Sequence, residues 1–437
     1  MGSTIRYAAS GGSRNRLNDS SKYVCAFGGR RDYYQVAVAL AEADMLDMFI
    51  TDAYFGRIPH MMELLLPRPL TEKMRFRHES AIPIDRVKCL WGTLFELQAR
   101  RRFGFADWEI FAKLDRKLSL AAAVRARRTR SDLFLYNPYA WEAFTARYRH
   151  TPKKVLFQFH PHPDLERRIL HEDSARHRIF HYSYEEEMGD SVSEAVKRRT
   201  RDCWRHADLI LCASEFTRLS LIEAGADCGQ CEIVPYGIDL PYAHDERAAP
   251  ESFHVLFVGS GTQRKGLHHL LLAWQIAALP PDSRLTVVCR SIDHGVEALA
   301  HSMPRVNLVR GLSGDALQSF YKRSAVLAVP SLVEGFGQVC LEGLAQGCPV
   351  LGTPNTCLPD IGPSGAIFLV AAGAIEQLAG ELEMLSRSLP GNYAIRTEAR
   401  ACAARWPWAH FRQGIRGALH RTSSKMTDYA VRKATLP

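Results

Sequence analysis

Two glutamates, Glu334 and Glu342, stand with seven residues between them in the run Pro-Ser-Leu-Val-Glu-Gly-Phe-Gly-Gln-Val-Cys-Leu-Glu-Gly-Leu that starts at Pro330. The segment around Gly335, Phe336 and Gly337 is too rich in glycine for regular structure, and its glycines let a ligand come close to the backbone. A helical pattern begins at Gln338 and is closed by Gly347, with Pro349 just beyond. A helix that starts after a glycine loop points unpaired amides and a positive dipole end at whatever sits there. The amides of Gly337, Gln338 and Val339 therefore suit a phosphate. Carboxylates beside a phosphate are electrostatically unhelpful, so Glu334 and Glu342 must face something neutral, and sugar hydroxyls are the natural partners. A phosphate flanked by hydroxyls on both sides describes a nucleotide sugar.

A second cluster lies in Gly-Ser-Gly-Thr-Gln-Arg-Lys-Gly, residues 259 to 266. Arg264 and Lys265 sit just before a helical pattern through Leu270, Leu271 and Trp274. Cations at a helix start are unfavourable unless an anion intervenes. The run is not a P-loop, because Gly266 is followed by Leu267 rather than by Lys and Ser or Thr.

Histidines form a third candidate. Alternation in the strand Val155 to Phe159 puts His160 and His162 on one side. As metal ligands they lack an evident third partner, and a structural role stays open. Cys228 and Cys231 form a lone Cys-x-x-Cys without the second pair that a zinc site needs.

These groups need scaffolds. Tyr23 to Phe27 reads as a strand, followed by Gly28 and Gly29 and a helical pattern through Tyr34, Val38 and Ala41. Strand, glycine pair and helix open a nucleotide-binding half-domain; a plain tight turn is the alternative. Further strands are expected at Leu46 to Ile50, Asp132 to Tyr136 and Leu209 to Ala213, with Ser214 as an N-cap. A second series begins at Val255 to Val258 and continues at Arg284 to Cys289, Val306 to Val309, Ala325 to Val329, Pro349 to Gly352 and Ala366 to Val370. Helices are expected from Trp141, Ala374 and Tyr393. Residues 241 to 252 read as a linker, Glu185 to Glu187 as a solvated helix face, and the first 21 residues as disordered. The chain beyond about Thr422 is expected to fray.

The Glu334–Glu342 spacing, the residues around it, and the following Gly-Cys-Pro-Val-Leu-Gly at 347 to 352 resemble the family 4 retaining glycosyltransferases of GT-B fold. Residues 213 to 217 and 234 to 239 look like the last two strand ends of that family's first domain. The resemblance implies an α/β protein with two Rossmann-like doubly wound domains facing a central cleft, at residues 22–240 and 252–405. It also implies a helix at 406–421 crossing back onto the first domain.

The same resemblance implies the roles. Arg264 and Lys265 would hold the donor diphosphate, Glu334 the sugar hydroxyls and Glu342 the ribose. His160 would orient the sugar, with His162 as second choice. Gly28 and Gly29 would approach the phosphate or sugar, Gly311 and Leu312 would hold the nucleobase, and Phe336, Gly337, Gln338 and Val339 would complete the donor site. There is no Asp-x-Asp, so neither a metal nor another cofactor is expected. The implied activity is transfer of a sugar from a nucleotide-diphosphate-sugar to a glycan or lipid-linked acceptor, in polysaccharide or glycolipid biosynthesis. The alternatives are a non-catalytic nucleotide-sugar-binding protein and a phosphorylase- or epimerase-like GT-B enzyme.

The chain has 437 residues and a net charge of +9, enough length for two cores. No apolar run approaches the ~20 residues of a membrane helix. The N-terminus lacks a signal-peptide core, and the 11 cysteines are scattered. Together these predict a reducing, cytoplasmic setting. The positive charge fits nucleic acid, an anionic membrane surface or anionic substrates. The resemblance selects the last, with no nucleic acid. Between residues 57 and 149, about 19 Lys and Arg face about 10 Asp and Glu. With an amphipathic helix from Trp108 to Arg128, that excess fits either a solvated helix packed on the sheet or peripheral contact with an anionic membrane.

Overall fold

The computed structural model describes residues 21–56, 68–177, 192–240, 250–312 and 314–434. The charge run at Glu185 to Glu187, most of the linker and the N-terminal tail lie outside them. Two parallel sheets organise the rest. The first has seven strands: β1 (Tyr23–Ala26), β2 (Leu46–Thr51), β3 (Val87–Cys89), β4 (Asp132–Tyr136), β5 (Lys154–Gln158), β6 (Leu209–Cys212) and β7 (Cys231–Ile233). The second has six: β8 (His254–Val258), β9 (Arg284–Cys289), β10 (Val306–Arg310), β11 (Val326–Val329), β12 (Val350–Gly352) and β13 (Ile367–Leu369).

Their orders are β3-β2-β1-β4-β5-β6-β7 and β10-β9-β8-β11-β12-β13. All recorded pairings are parallel. Parallel sheets need helices on both faces, and this is why β1, β6 and β11 are apolar and buried along their lengths. In each sheet the order reverses between neighbouring strands, β1 and β4 in one and β8 and β11 in the other. Crevices at such reversals, beyond the carboxyl ends of the strands, are where open α/β sheets bind ligands.

The expected strands appear where their apolar runs place them. β3 was not expected; it is a three-residue edge strand, too short for a pattern. The helix Asp107–Thr129 spans the expected amphipathic stretch. Its inner face is Ile110, Leu118, Ala122 and Ala126, while Phe111 is 53% exposed.

The last helix, Trp408–Ala434, returns to the first sheet and continues past Thr422, where fraying was expected. Ile238 N donates to the Trp406 carbonyl at 2.8 Å. A Cβ on Gly237 would stand 2.6 Å from the Trp408 backbone, so only glycine fits that crossing. Arg412 and Arg416 pair with Glu42, and the buried Lys153 ammonium donates to the Leu419 carbonyl at 3.2 Å. The basic residues near the C-terminus thus serve docking. Tyr236 stacks edge-on against Phe336 at 5.2 Å and Trp408 at 6.0 Å, which joins the cores of the two sheets.

Candidate functional site

The two reversals face each other across a cleft. On the second sheet, the loop after β11 carries Glu334 and leads into the helix Gln338–Ala345. Gly337 caps that helix at φ +85°, a left-handed conformation that favours glycine. Gly335 has a different reason to be glycine. A Cβ there would lie 1.7 Å from the Phe159 carbonyl oxygen. Its own carbonyl accepts from Ser214 Oγ at 2.6 Å and Thr217 Oγ1 at 3.2 Å. The close approach expected of a ligand is, at Gly335, an approach of the first domain. Ser214 also caps its own helix, accepting from Thr217 N at 3.2 Å.

Arg264 and Lys265 occupy the turn after β8, and both reach Glu334. Lys265 Nζ contacts Glu334 Oε2 directly, and Arg264 stands 3.6 Å from Oε1. The Arg264 guanidinium also donates to the Val333 carbonyl and lies 3.9 Å from Glu166. Burial and then the Arg264 charge push the Lys265 ammonium below its usual range. Two cations and one carboxylate form one compact cluster with a net positive charge.

Across the cleft, His160 lines a cavity of about 200 Å³ together with Asp32, Tyr33, Tyr236, Glu334 and Gln338. Its imidazole keeps surface toward that cavity, yet the enclosing walls and then the Arg264, Arg31 and Lys265 charges hold its pKa well below the ordinary value. His160 is therefore neutral near pH 7. His162 has the structural role. Its Nδ1 accepts from Asp164 N at 3.3 Å as a helix cap, and its Nε2 contacts the Arg201 carbonyl at 3.0 Å.

A second cavity of about 310 Å³ lies within the second domain, lined by Gly259, Arg290, Gly311, Leu312, Val339 and Glu342 among others. It opens beside a third, of about 410 Å³, that includes Leu312, Tyr321 and Glu342. Burial raises the Glu342 carboxyl, partly offset by the Tyr321 hydroxyl, which donates to it at 2.9 Å. Gly311, Leu312 and Val339 thus line one cavity with Glu342.

Gly28 and Gly29 do not line any of these cavities. Gly29 has φ +76° and donates its amide to Asp52 at 2.9 Å; Gly28 packs against Leu114 and Leu118. The tight-turn reading is the one that fits. Gln338 spends its side chain on the Gly237 carbonyl at 2.6 Å, leaving only its backbone amide for a phosphate. Phe336, 3% exposed, packs against Tyr236 and gives one edge to the smallest cavity.

Sequence reasoning missed Asp32 and Tyr33. Asp32, Tyr33 and Tyr34 have φ of 45°, 50° and 65°, three consecutive left-handed residues without a glycine among them. Each such residue costs roughly 1–2 kcal/mol. The Tyr236 hydroxyl, which donates to Asp32 Oδ2 at 2.9 Å, and the fully buried Tyr34 hold the turn. Burial raises the Asp32 carboxyl, while the Arg31 charge and the tyrosine hydroxyls lower it. Nothing in Arg-Asp-Tyr-Tyr signals a left-handed turn, and strain of this kind gathers at functional sites.

Residues 252–388 match the family model described as Glycosyl transferases group 1. That match covers the second sheet and most of the helices around it. The MMP alpha-(1->4)-mannosyltransferase of Mycolicibacterium hassiacum is 26% identical over 162 residues, 36% of this chain and 39% of that protein. The D-inositol 3-phosphate glycosyltransferase of Rhodococcus jostii is 31% identical over 214 residues, 44% of this chain and 47% of that one. The chain thus spans less than half the length of these two curated relatives.

Among solved structures, the sucrose-phosphate synthase from Thermosynechococcus elongatus superposes with a TM-score of 0.62 at 18% identity, over 93% of this chain and all of that one. Anabaena HepE, in complex with UDP and glucose, gives 0.55 at 15% identity, over 92% of this chain and all of that one. The fold is GT-B. The domain that matches this model holds Arg264, Lys265, Glu334 and Glu342, and the first domain supplies Asp32 and His160 across the cleft.

Proposed function

We propose that the protein is a retaining glycosyltransferase. It moves a sugar from a nucleotide-diphosphate-sugar to a glycan or lipid-linked acceptor, in polysaccharide or glycolipid biosynthesis. The observation that carries this reading is the convergence of Arg264, Lys265 and Glu334 beside the first turn of the Gln338–Ala345 helix, opposite His160.

In this reading the nucleobase and ribose enter the cavity of Gly311, Leu312 and Glu342. The diphosphate meets Arg264, Lys265 and the helix-start amides. It then takes over Lys265, and Glu334 is freed to accept hydrogen bonds from the sugar. As the glycosidic bond breaks, negative charge grows on the diphosphate, where the fixed cations and amides stabilise it. These groups replace a divalent metal at the leaving group. Neutral His160 orients the sugar without adding charge. A donor phosphate oxygen takes the acceptor's proton on the same face, which accounts for retention. Asp32, on the far wall of the same cavity, accepts a hydrogen bond from an acceptor hydroxyl. The relative named as binding UDP and glucose, Anabaena HepE, supports a nucleotide-sugar donor.

We place the enzyme in the cytoplasm, at the inner face of a membrane. No helix among the described residues is long and apolar enough to cross one. The supporting feature is the tip joining the helices Trp91–Arg102 and Asp107–Thr129. There Phe95 is 68%, Phe103 80% and Phe105 43% exposed, beside Arg100, Arg101 and Arg102. Exposed aromatics among cations suit an anionic bilayer. Arg125, farther along the second of these helices, is paired with Asp47 at 2.7 Å.

Calorimetric titration with UDP, GDP and ADP tests the donor site. One of them should bind with one site per chain, and Lys265→Ala should weaken it. Failure of every nucleoside diphosphate to bind would overturn the reading.

A further inference from the structure

A cluster of histidines and a carboxylate lies outside the cleft cavities. Asp173 sits near the end of the helix Pro163–Arg176, and His177 follows that helix directly. His269 comes from the helix Leu267–Ile276 of the other domain. The ligand atoms of these three residues all lie within 4.8 Å of one another. His269 Nε2 is 2.8 Å and His177 Nε2 3.9 Å from the same oxygen, Asp173 Oδ1.

The two carboxylate oxygens are used differently. Oδ2 receives Gln263 Nε2 at 2.8 Å and His268 Nε2 at 3.1 Å. Gln263 is itself fixed, donating also to the Leu170 carbonyl and Ser174 Oγ. That is how an outer carboxylate oxygen is held when the inner one binds a metal. His269 is 2% exposed, and neither of its ring nitrogens makes an aligned hydrogen bond; its 2.8 Å contact with Oδ1 is an ion-pair distance only.

We propose that Asp173, His177 and His269 bind a divalent transition metal, with zinc as the best-fitting ion, and that this ion ties the two domains together. Tetrahedral zinc, with bonds of about 2.0–2.1 Å, sets its ligand atoms about 3.3–3.4 Å apart. The observed 2.8 and 3.9 Å bracket that spacing. Two imidazoles and one carboxylate suit zinc and its first-row neighbours, whereas calcium and magnesium prefer all-oxygen sites. The fourth position is open to water on the side of His177, which is 19% exposed.

The consequence is mechanical. His269 lies on the helix that follows Arg264 and Lys265, while Asp173 and His177 belong to the opposite domain. Opening the cleft would pull the ligands apart, so the bound ion favours the closed form. It takes no part in the sugar-transfer chemistry.

The test is zinc binding by the chelator-stripped full chain, measured by competition with a chromophoric chelator. Scattering measurements of the radius of gyration follow domain closure. One zinc ion per chain should bind, and the radius should fall on binding. His177→Ala and His269→Ala should each weaken binding roughly 100-fold, as loss of one of three ligands implies. Gln263→Ala should weaken it about 10- to 100-fold through the outer contact. His301→Ala, at an exposed histidine elsewhere, should leave it unchanged. If His269→Ala fails to fold, the partly exposed His177 decides. Absence of stoichiometric zinc, or undiminished binding in His177→Ala, would overturn the proposal.

Discussion

Lys265 Nζ and Glu334 Oε2 are in direct contact, so the cation assigned to the donor diphosphate and the carboxylate assigned to the donor sugar neutralise each other without a donor. Binding must exchange partners: the diphosphate replaces Glu334 at Lys265, and the sugar hydroxyls replace Lys265 at Glu334. Lys265→Ala should therefore lose both the exchange and the charge stabilisation. A charge-assisted hydrogen bond is worth about 1.5–3 kcal/mol, so turnover should fall about 10- to 150-fold. Arg264→Ala should act in the same direction. Steady-state nucleotide release checks this, and unchanged turnover in both variants would contradict it.

Glu334 and Glu342 should separate kinetically. Glu342 lies in the nucleotide cavity with Tyr321, and Glu334 lies in the cavity shared with His160. Glu342→Ala should weaken nucleotide affinity by about 1.5–3 kcal/mol, whereas Glu334→Ala should mainly lower turnover. Tyr321→Phe should follow Glu342→Ala in milder form. Equal losses of nucleotide affinity in the two glutamate variants would remove this division of roles.

Gly335→Ala should damage the apposition of the domains. The added Cβ would meet the Phe159 carbonyl at 1.7 Å, a backbone atom that no rotamer change can move. Overpacking of this kind typically costs about 1–3 kcal/mol. The melting temperature should drop and activity should be lost, while Gly380→Ala, with open space around its Cβ position, should be tolerated.

The two glycines also show what the sequence could and could not convey. The presence of Gly335 and Gly337 beside Glu334 was legible, and so was the helix start at Gln338; the left-handed φ of Gly337 was not. That Gly335 answers to Phe159 was not, because the clash joins residues from different domains. The same limit explains Gly28 and Gly29, a pattern that reads equally as a phosphate loop or a turn. The sheets were legible because buried parallel strands are continuous apolar runs. Asp32 was invisible because left-handed residues other than glycine carry no compositional mark. The Asp173–His269 cluster was invisible because its members are 96 residues apart and meet only across the domain boundary.

His160 gives a pH dependence. Its folded pKa lies below the unfolded value of about 6.5, so the folded state binds fewer protons. The stability linked to this group is fully present above about pH 6.5 and is lost as pH falls from there toward the folded value. Thermal melts of the wild type and His160→Gln between about pH 5 and 7.5 check it. The variant should show a shallower acid decline. Parallel curves would place the titrating group elsewhere.

Membrane contact should depend on the exposed tip. Each basic residue near an anionic bilayer contributes about 1 kcal/mol. Replacing Arg100, Arg101 and Arg102 by Gln should therefore weaken sedimentation with anionic vesicles more than 10-fold. Phe103→Ser should weaken it further, and high salt should weaken it in the wild type. Sedimentation that is equal with neutral and anionic vesicles would contradict this.

The most direct measurement is release of nucleoside diphosphate from a panel of nucleotide sugars, in the presence of EDTA and without added magnesium or manganese. The account predicts that one donor is turned over under these conditions. It also predicts that Lys265→Ala loses most of that rate, and that the anomeric configuration of the donor survives in the product, read by the sugar's NMR coupling constant. Turnover that requires magnesium or manganese, or a product of inverted configuration, would contradict it.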